Sequence, residues 1–148
     1  MTQISTQLRR FVIDRANGYC EYCHVEQELE VATFHIEHIR PRKHNGTSEP
    51  ENLCLSCLEC NAYEGSDVAS FDPETDELTP FFNQRIDTWH DHFQLAHAEI
   101  RPLTAIARVT ATMLRFNLPE RVDERRKLIK LNRYPCEGPP HEPDPPTT

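Results

Sequence analysis

Two cysteine pairs constrain this chain more than any other feature: Cys20-Glu21-Tyr22-Cys23 and Cys57-Leu58-Glu59-Cys60. Each C-x-x-C turn can seat two thiolates on one ion, and two such turns complete a tetrahedral four-cysteine set of the kind that holds structural zinc. The chain between them is then a loop closed by metal. Disulfides are the other use of paired cysteines. The N-terminal MTQISTQLRRFVIDRANG, however, lacks the apolar stretch of a signal peptide, and no run is long enough to span a membrane. The expectation is therefore a cytoplasmic protein without membrane contact, where thiols stay reduced and paired cysteines favour metal. Cys54 and Cys136 fall outside the pairs and read as ordinary free thiols, the first buried and the second in the tail.

The metal-closed loop has its own pattern. Glu30 to Ile39 is rich in strand formers, with Ala32, Phe34 and Ile36 predicted on one face and Thr33, His35 and Glu37 on the other. Pro41 ends this strand. Arg40, Arg42, Lys43 and His44 then form a small basic loop that runs into the turn signal Asn45-Gly46. Pro50-Glu51-Asn52 breaks the chain again, Leu53-Cys54-Leu55 is short and extended, and Leu58 to Glu64 suits a helix stopped by Gly65. The sum is strand, loop, strand, helix, in short a ββα arrangement with zinc at its base.

Outside the loop, Ser5 caps a predicted helix over 4–17, with Leu8, Phe11 and Val12 as a partial apolar stripe and Gly18 as its stop. Its arginines, Arg9, Arg10 and Arg15, read as a solvated face rather than a phosphate patch. Residues 66–84 read as an acidic connector with a turn at Asp72-Pro73-Glu74-Thr75. His90, His92 and His97, near Trp89 and Phe93, have no cysteine or acidic framework and read as packing or exposed groups rather than a metal site. Thr104 caps a helix predicted to run to about Phe116, and Pro119 opens another. In the last helix Val122, Leu128 and Ile129 face inward, while Arg121, Arg125, Arg126, Lys127, Lys130 and Arg133 read as a solvated basic surface. The proline-rich end reads as disordered. With 148 residues and a net charge of -8, the chain has room for one real core and does not suit a nonspecific basic coat on nucleic acid. A local basic patch, a bridging metal or an additional protein must then supply any DNA affinity.

The loop also carries groups for phosphodiester chemistry, which needs a base for water and a cation at the scissile phosphate. Glu37 and Asn61 offer a carboxylate and an amide oxygen, a hard-ligand pair that leaves most of an octahedral Mg2+ or similar divalent cation open. His38 titrates near neutrality and can take a proton from water. In a regular strand Glu37 and His38 face opposite ways, so sharing one site requires the strand to end there, as Pro41 suggests. Asn52 sits where an amide can tie backbone groups and hold His38 in orientation. His35 shares a face with Glu37 and reads equally as a helper or as a half-exposed histidine.

The run Cys20-x-x-Cys23, His35-Ile36-Glu37-His38-Ile39-x-Pro41, Asn45-Gly46, Glu51-Asn52-Leu53 and Cys57-x-x-Cys60-Asn61 resembles the HNH endonuclease family. The remainder, with Asp72-Pro73-x-Thr75, Trp89, His92-Phe93 and Leu114-x-x-Asn117, is similar to the tail of a compact bacterial subset. The resemblance implies an α+β protein with a ββα-metal core, a structural zinc on the four thiolates of Cys20, Cys23, Cys57 and Cys60, an N-terminal helix and a mostly helical C-terminal extension. It implies a core over 1–65, an extension over 66–135 packed on it and a disordered tail over 136–148. By position it makes Glu37 and Asn61 the ligands of the catalytic cation, His38 the general base, and Asn52 the middle motif residue, in an enzyme cleaving DNA. Two departures stand out: Asn45-Gly46 replaces the common Gly-Gly, and Tyr63-Glu64-Gly65 lies where a Lys is common. The rival reading is a non-catalytic zinc module that binds nucleic acid or protein. Such a module needs the four cysteines but not Glu37, His38 and Asn61 together.

Overall fold

Ser5 starts the first helix by accepting a hydrogen bond from the Leu8 amide at 3.1 Å, and α1 runs over Thr6–Arg15. The computed structural model describes residues 4–27 and 33–135. Val12 of α1 is fully buried, while Arg9 and Arg10 are exposed. Arg15 corrects the solvated-face expectation. It is buried, and its guanidinium donates to the carbonyls of Pro50 at 2.9 Å and Leu53 at 2.6 Å. A long cation at a helix end can reach the unpaired carbonyls of a neighbouring turn, and burial then follows from its hydrogen bonds.

After the first cysteine pair, β1 (His35–His38) pairs antiparallel with β2 (Leu53–Ser56), Glu37 lying opposite Cys54 and His38 opposite Leu53. The expected start of this strand at Glu30 to Ala32 lies outside the described residues. Its predicted faces also need correction: Phe34 and Glu37 are both buried, Ile36 is half-buried and His35 is exposed. Strict alternation holds for a strand with one wet face, and here α2 (Leu58–Glu64) packs on β1 while β2 is buried throughout. Cys57 caps α2, its Sγ accepting from the Cys60 amide at 3.4 Å, and Gly65 ends it at φ +57°.

The extension is less helical than expected, and the connector is not structureless. β3 (Ala69–Phe71) and β4 (Leu78–Pro80) form one hairpin, and β5 (Phe93–Ala96) and β6 (Glu99–Pro102) another, with the short α3 (Trp89–His92) between them. Strands of three and four residues are too short to show a period, and the only sequence signal was the Asp72 turn. Next come α4 (Ala105–Met113), capped by Thr104 as expected though ending before Phe116, and α5 (Pro119–Lys130).

Two members of the predicted basic surface on α5 are in fact interior: Arg121 is 4% exposed and Arg125 is 1% exposed. Arg121 donates to the Leu114 carbonyl at 2.6 Å, and Arg125 to those of Phe116 at 2.7 Å and Ala98 at 2.6 Å. The carbonyls at the end of α4 lack helical partners, and these guanidinium groups supply the donors. Arg126, Lys127, Lys130 and Arg133 are exposed. One hydrophobic cluster joins Val12, Tyr22 and Leu53 to Phe82, Trp89 and Phe116, so both halves share a core. Cys54 is buried in it, and Cys136 with the rest of the tail lies outside the described residues. Among the described residues, no helix is long and apolar enough to cross a membrane.

Candidate functional site

The two knuckles meet. The sulfurs of Cys20, Cys23, Cys57 and Cys60 all lie within 4.8 Å of one another, and all four residues are buried. Cys23 and Cys57 sulfurs are 3.8 Å apart. Zinc–sulfur bonds of about 2.3 Å in a tetrahedron put sulfurs about 3.8 Å apart, so the cluster fits zinc. Without a cation the group cannot hold four negative charges. Hydrogen bonds from Cys20, Cys57 and Cys60 keep Cys23 well below the ordinary thiol range, while burial pushes Cys60 well above it.

The extension grips this cluster from outside. Arg121 directs Nη2 at Cys60 Sγ at 3.0 Å and pairs through Nε with Glu59 at 3.2 Å. Trp89 Nε1 donates to the Tyr22 carbonyl, and Tyr134 Oη to that of Cys23, each at 2.8 Å. Sequence reasoning missed all three. Helical spacing placed Arg121 on a surface, and nothing in the sequence tied Trp89 or Tyr134 to the knuckles.

Glu37 sits on β1 with 7% exposure, and neither carboxylate oxygen has a hydrogen bond of ordinary geometry, the Ser56 hydroxyl giving it only weak help. Burial pushes its pKa up to about 8. A carboxylate desolvated without a donor is costly unless something else compensates it, and a bound cation is one such compensation. Asn61, half-buried, lies on α2, the helix packed on the same strand. These oxygens fit a hard divalent cation in donor type.

His38 is half-buried and lies next along the strand from Glu37. Its Nε2 lies 3.0 Å from Ser48 Oγ and accepts from Arg42 Nε at 3.4 Å. Burial first, and then the Arg42 charge, lower its pKa below the ordinary value. Both effects favour the neutral imidazole. Asn52 ties backbone rather than this ring: Oδ1 accepts from the Arg40 amide at 2.8 Å, and Nδ2 donates to the carbonyls of Arg40 at 3.0 Å and Thr47 at 2.6 Å. Ser48 orients His38 in its place, a role the sequence did not signal.

The same loop needs Gly46, since a Cβ there would meet the Arg40 carbonyl oxygen at 1.6 Å. Asn45 takes the left-handed conformation beside it, at φ +66°. Arg40, Arg42, Lys43 and His44 are all exposed around this turn, and His35 is exposed at the start of β1. Glu64, within the Tyr63-Glu64-Gly65 stretch where the resembling family commonly has a Lys, is 2% exposed, with Oε2 unpartnered. His90, His92 and His97 do not gather. His92 bonds Thr104 Oγ1 at 2.6 Å, His90 lies against Trp89, and among the described residues the cysteines are the one cluster suited to a metal.

Comparison with known families gives one match: residues 20–67, about a third of the chain, fit the family model described as HNH endonuclease. No curated protein and no solved structure matches the chain.

Proposed function

We propose, from the HNH endonuclease domain at residues 20–67, that this chain hydrolyses phosphodiester bonds in DNA with the help of a divalent cation. The observation that carries this reading is Glu37, a buried carboxylate with no well-formed hydrogen bond on either oxygen, next in sequence to a histidine held toward its neutral form. The strand–strand–helix unit then acts as a ββα-metal core, and the four-cysteine cluster holds a structural zinc. Glu37 and Asn61 would hold Mg2+ or a similar ion, which supplies charge stabilisation at the scissile phosphate when bound. His38 takes the proton from the attacking water at Nε2, once the Ser48 hydroxyl and the Arg42 guanidinium have both turned away from that nitrogen's one lone pair. Until then Arg42, by donating to it, selects the tautomer whose lone pair is on Nε2. Asn52 fixes the loop that bears Arg40, Arg42 and Ser48, so its contribution is positional. The exposed Arg40, Arg42 and Lys43 meet the phosphate backbone and offset the acidic balance locally.

The test is nicking of supercoiled plasmid with Mg2+, Mn2+ or no added cation, beside His38→Ala. Wild type should nick only with cation. His38→Ala should be slower by about a hundredfold or more, the usual size of a general-base contribution, with zinc content and circular dichroism unchanged. Because the base must be neutral, the rate should fall as pH drops through the His38 pKa, below the ordinary imidazole value. A non-catalytic zinc module gives no cation-dependent nicking, and no effect of the mutation, under any of these conditions.

A further inference from the structure

A cavity of about 530 Å3 opens beside this site, and its contents have no account in the chemistry above. Phe81 and Phe82 line it from the core, while Val68 and Ile86, both exposed apolar side chains, stand among its walls. Glu64 reaches it from α2, one turn beyond Asn61. Ile39 and Arg40, just past the end of β1, and His44 of the basic loop also border it, as does the Asp87 carboxylate.

Three properties define what fits. The walls are largely apolar and include aromatic rings, which suits a flat ring system. Glu64 is only 2% exposed and its Oε2 lacks a donor, so an occupant with N–H groups is needed to satisfy it. The cationic Arg40 at the border suits an occupant that trails a phosphate. We propose that the cavity receives one unstacked guanine of the strand being cut, its N1–H and 2-amino group donating to the Glu64 carboxylate. This deepens the endonuclease reading, on which it rests. It names the substrate as DNA that is single-stranded or distorted near the cleaved bond, where taking a base out of the stack costs least. It also accounts for a carboxylate in a position where a cation would serve phosphate binding better: the residue reads a base edge instead. A lysine-bearing segment of a partner protein meets the carboxylate equally well, but not the need for a planar apolar occupant beside a phosphate-binding loop.

The experiment uses the full chain and labelled single-stranded oligonucleotides carrying guanine, inosine or an abasic residue at each position around the cut. Inosine lacks only the 2-amino group. With Mg2+, wild type should cut guanine at one fixed position at least about tenfold faster than inosine there, the size of discrimination one paired base contact gives. Glu64→Gln should lose that preference while keeping its zinc and its circular dichroism. Ile86→Asp, a change at an exposed side chain, should weaken cutting of the guanine strand to the abasic level. Equal rates for guanine and inosine at every position in wild type overturn the proposal, as does a preference retained by Glu64→Gln. If wild type cuts nothing, the endonuclease reading fails. Affinity for the same strands in Ca2+, read by fluorescence anisotropy, then decides this one separately: a guanine preference that Glu64→Gln abolishes sustains the pocket, and equal affinities remove it.

Discussion

The stretch from Cys20 to Gly65 and the extension from Ser66 to Pro135 bury charged groups under opposite rules. In the first, four thiols crowd within 4.8 Å of one another, and neither Glu37 oxygen has a well-formed hydrogen bond. In the second, Asp72 accepts from Arg108 Nε at 2.9 Å and Nη2 at 2.8 Å, from Thr75 Oγ1 at 2.9 Å and from the Glu74 amide at 3.2 Å. Arg125 is likewise met by two carbonyls and by Asn117 Oδ1. A buried charge without a partner is expensive, so Glu37 and the four thiols call for compensation from outside the chain, where Asp72 and Arg125 already have their donors and acceptors. Arg121 joins the two regions, with one hand on the end of α4 and the other on Cys60.

The largest effect should come from breaking the first region's dependence on metal. Structural zinc contributes about 10–16 kcal/mol in small zinc domains. Whole-domain stability is only about 5–15 kcal/mol. Cys57→Ser should therefore give zinc-free, largely unfolded material by metal analysis and circular dichroism, whereas Cys54→Ser, buried but outside the cluster, should remain folded with one zinc. A folded, zinc-free Cys57→Ser protein removes the contrast altogether. Next in size is the link between regions. Arg121→Met takes a buried cation from the thiolates and from two carbonyls, and should cost about 3–5 kcal/mol. Zinc release to a chromogenic chelator should also quicken by about tenfold, as for other groups that support metal ligands. Arg126→Met, at an exposed site on the same helix, is the comparison, and identical behaviour of the two variants would show that the extension does not hold the zinc.

Glu37 gives an effect of opposite sign. Its pKa rises from 4.5 to about 8, so without a catalytic cation the folded state binds a proton that the unfolded state releases. Stability tied to this group is therefore highest below about pH 4.5 and declines as pH rises to about 8. Glu37→Gln should be more stable than wild type at pH 7.5 in buffer free of added divalent cation, by up to about 4 kcal/mol and seen as a higher melting temperature, with the difference vanishing near pH 4.5. Adding Mg2+ or Ca2+ should raise the melting temperature of wild type and not that of Glu37→Gln. A variant that melts lower at every pH would mean that Glu37 is a structural group and not a site awaiting an ion.

The first region was legible in the sequence because its signals are chemical and local. Cysteine spacing gave the cluster, Pro41 the end of β1, Gly65 the end of α2, and Asn45-Gly46 the turn. The second was legible only in its two long helices, opened by Thr104 and Pro119, because the rest takes its order from partners distant in sequence. Two hairpins of three- and four-residue strands show no period, and Arg121 and Arg125 follow the pattern of a wet helix until carbonyls from elsewhere claim them. Even in the first region, side-chain partners were harder to read than backbone. Asn52 was expected to tie backbone groups and to hold His38; it does the first, at Arg40 and Thr47, while Ser48, four residues earlier, meets the histidine. Hydrogen bonds set by loop conformation leave little trace in composition.

Asp72 provides the smallest effect and the mirror of Glu37. The hydrogen bonds from Arg108 hold its carboxyl well below the usual carboxylate range. A depressed folded pKa contributes stability that is present above the unfolded value of about 3.9, and that is lost only as pH falls through the folded value. Asp72→Asn should therefore melt below wild type at pH 7, with a constant gap down to about pH 4 that closes in stronger acid. The gap should be modest, since Arg108 lies partly in water and also meets the exposed Glu74, and solvent screens such pairs. Melting temperatures of wild type, Glu37→Gln and Asp72→Asn from pH 7.5 to pH 2 then separate the two regions in one experiment. The Glu37→Gln advantage shrinks first, between about pH 8 and 4.5, and the Asp72→Asn deficit only below that window. If instead no gap appears at pH 7, the turn is held by the Thr75 and Glu74 hydrogen bonds, which an amide oxygen can also accept, rather than by the charge on Asp72.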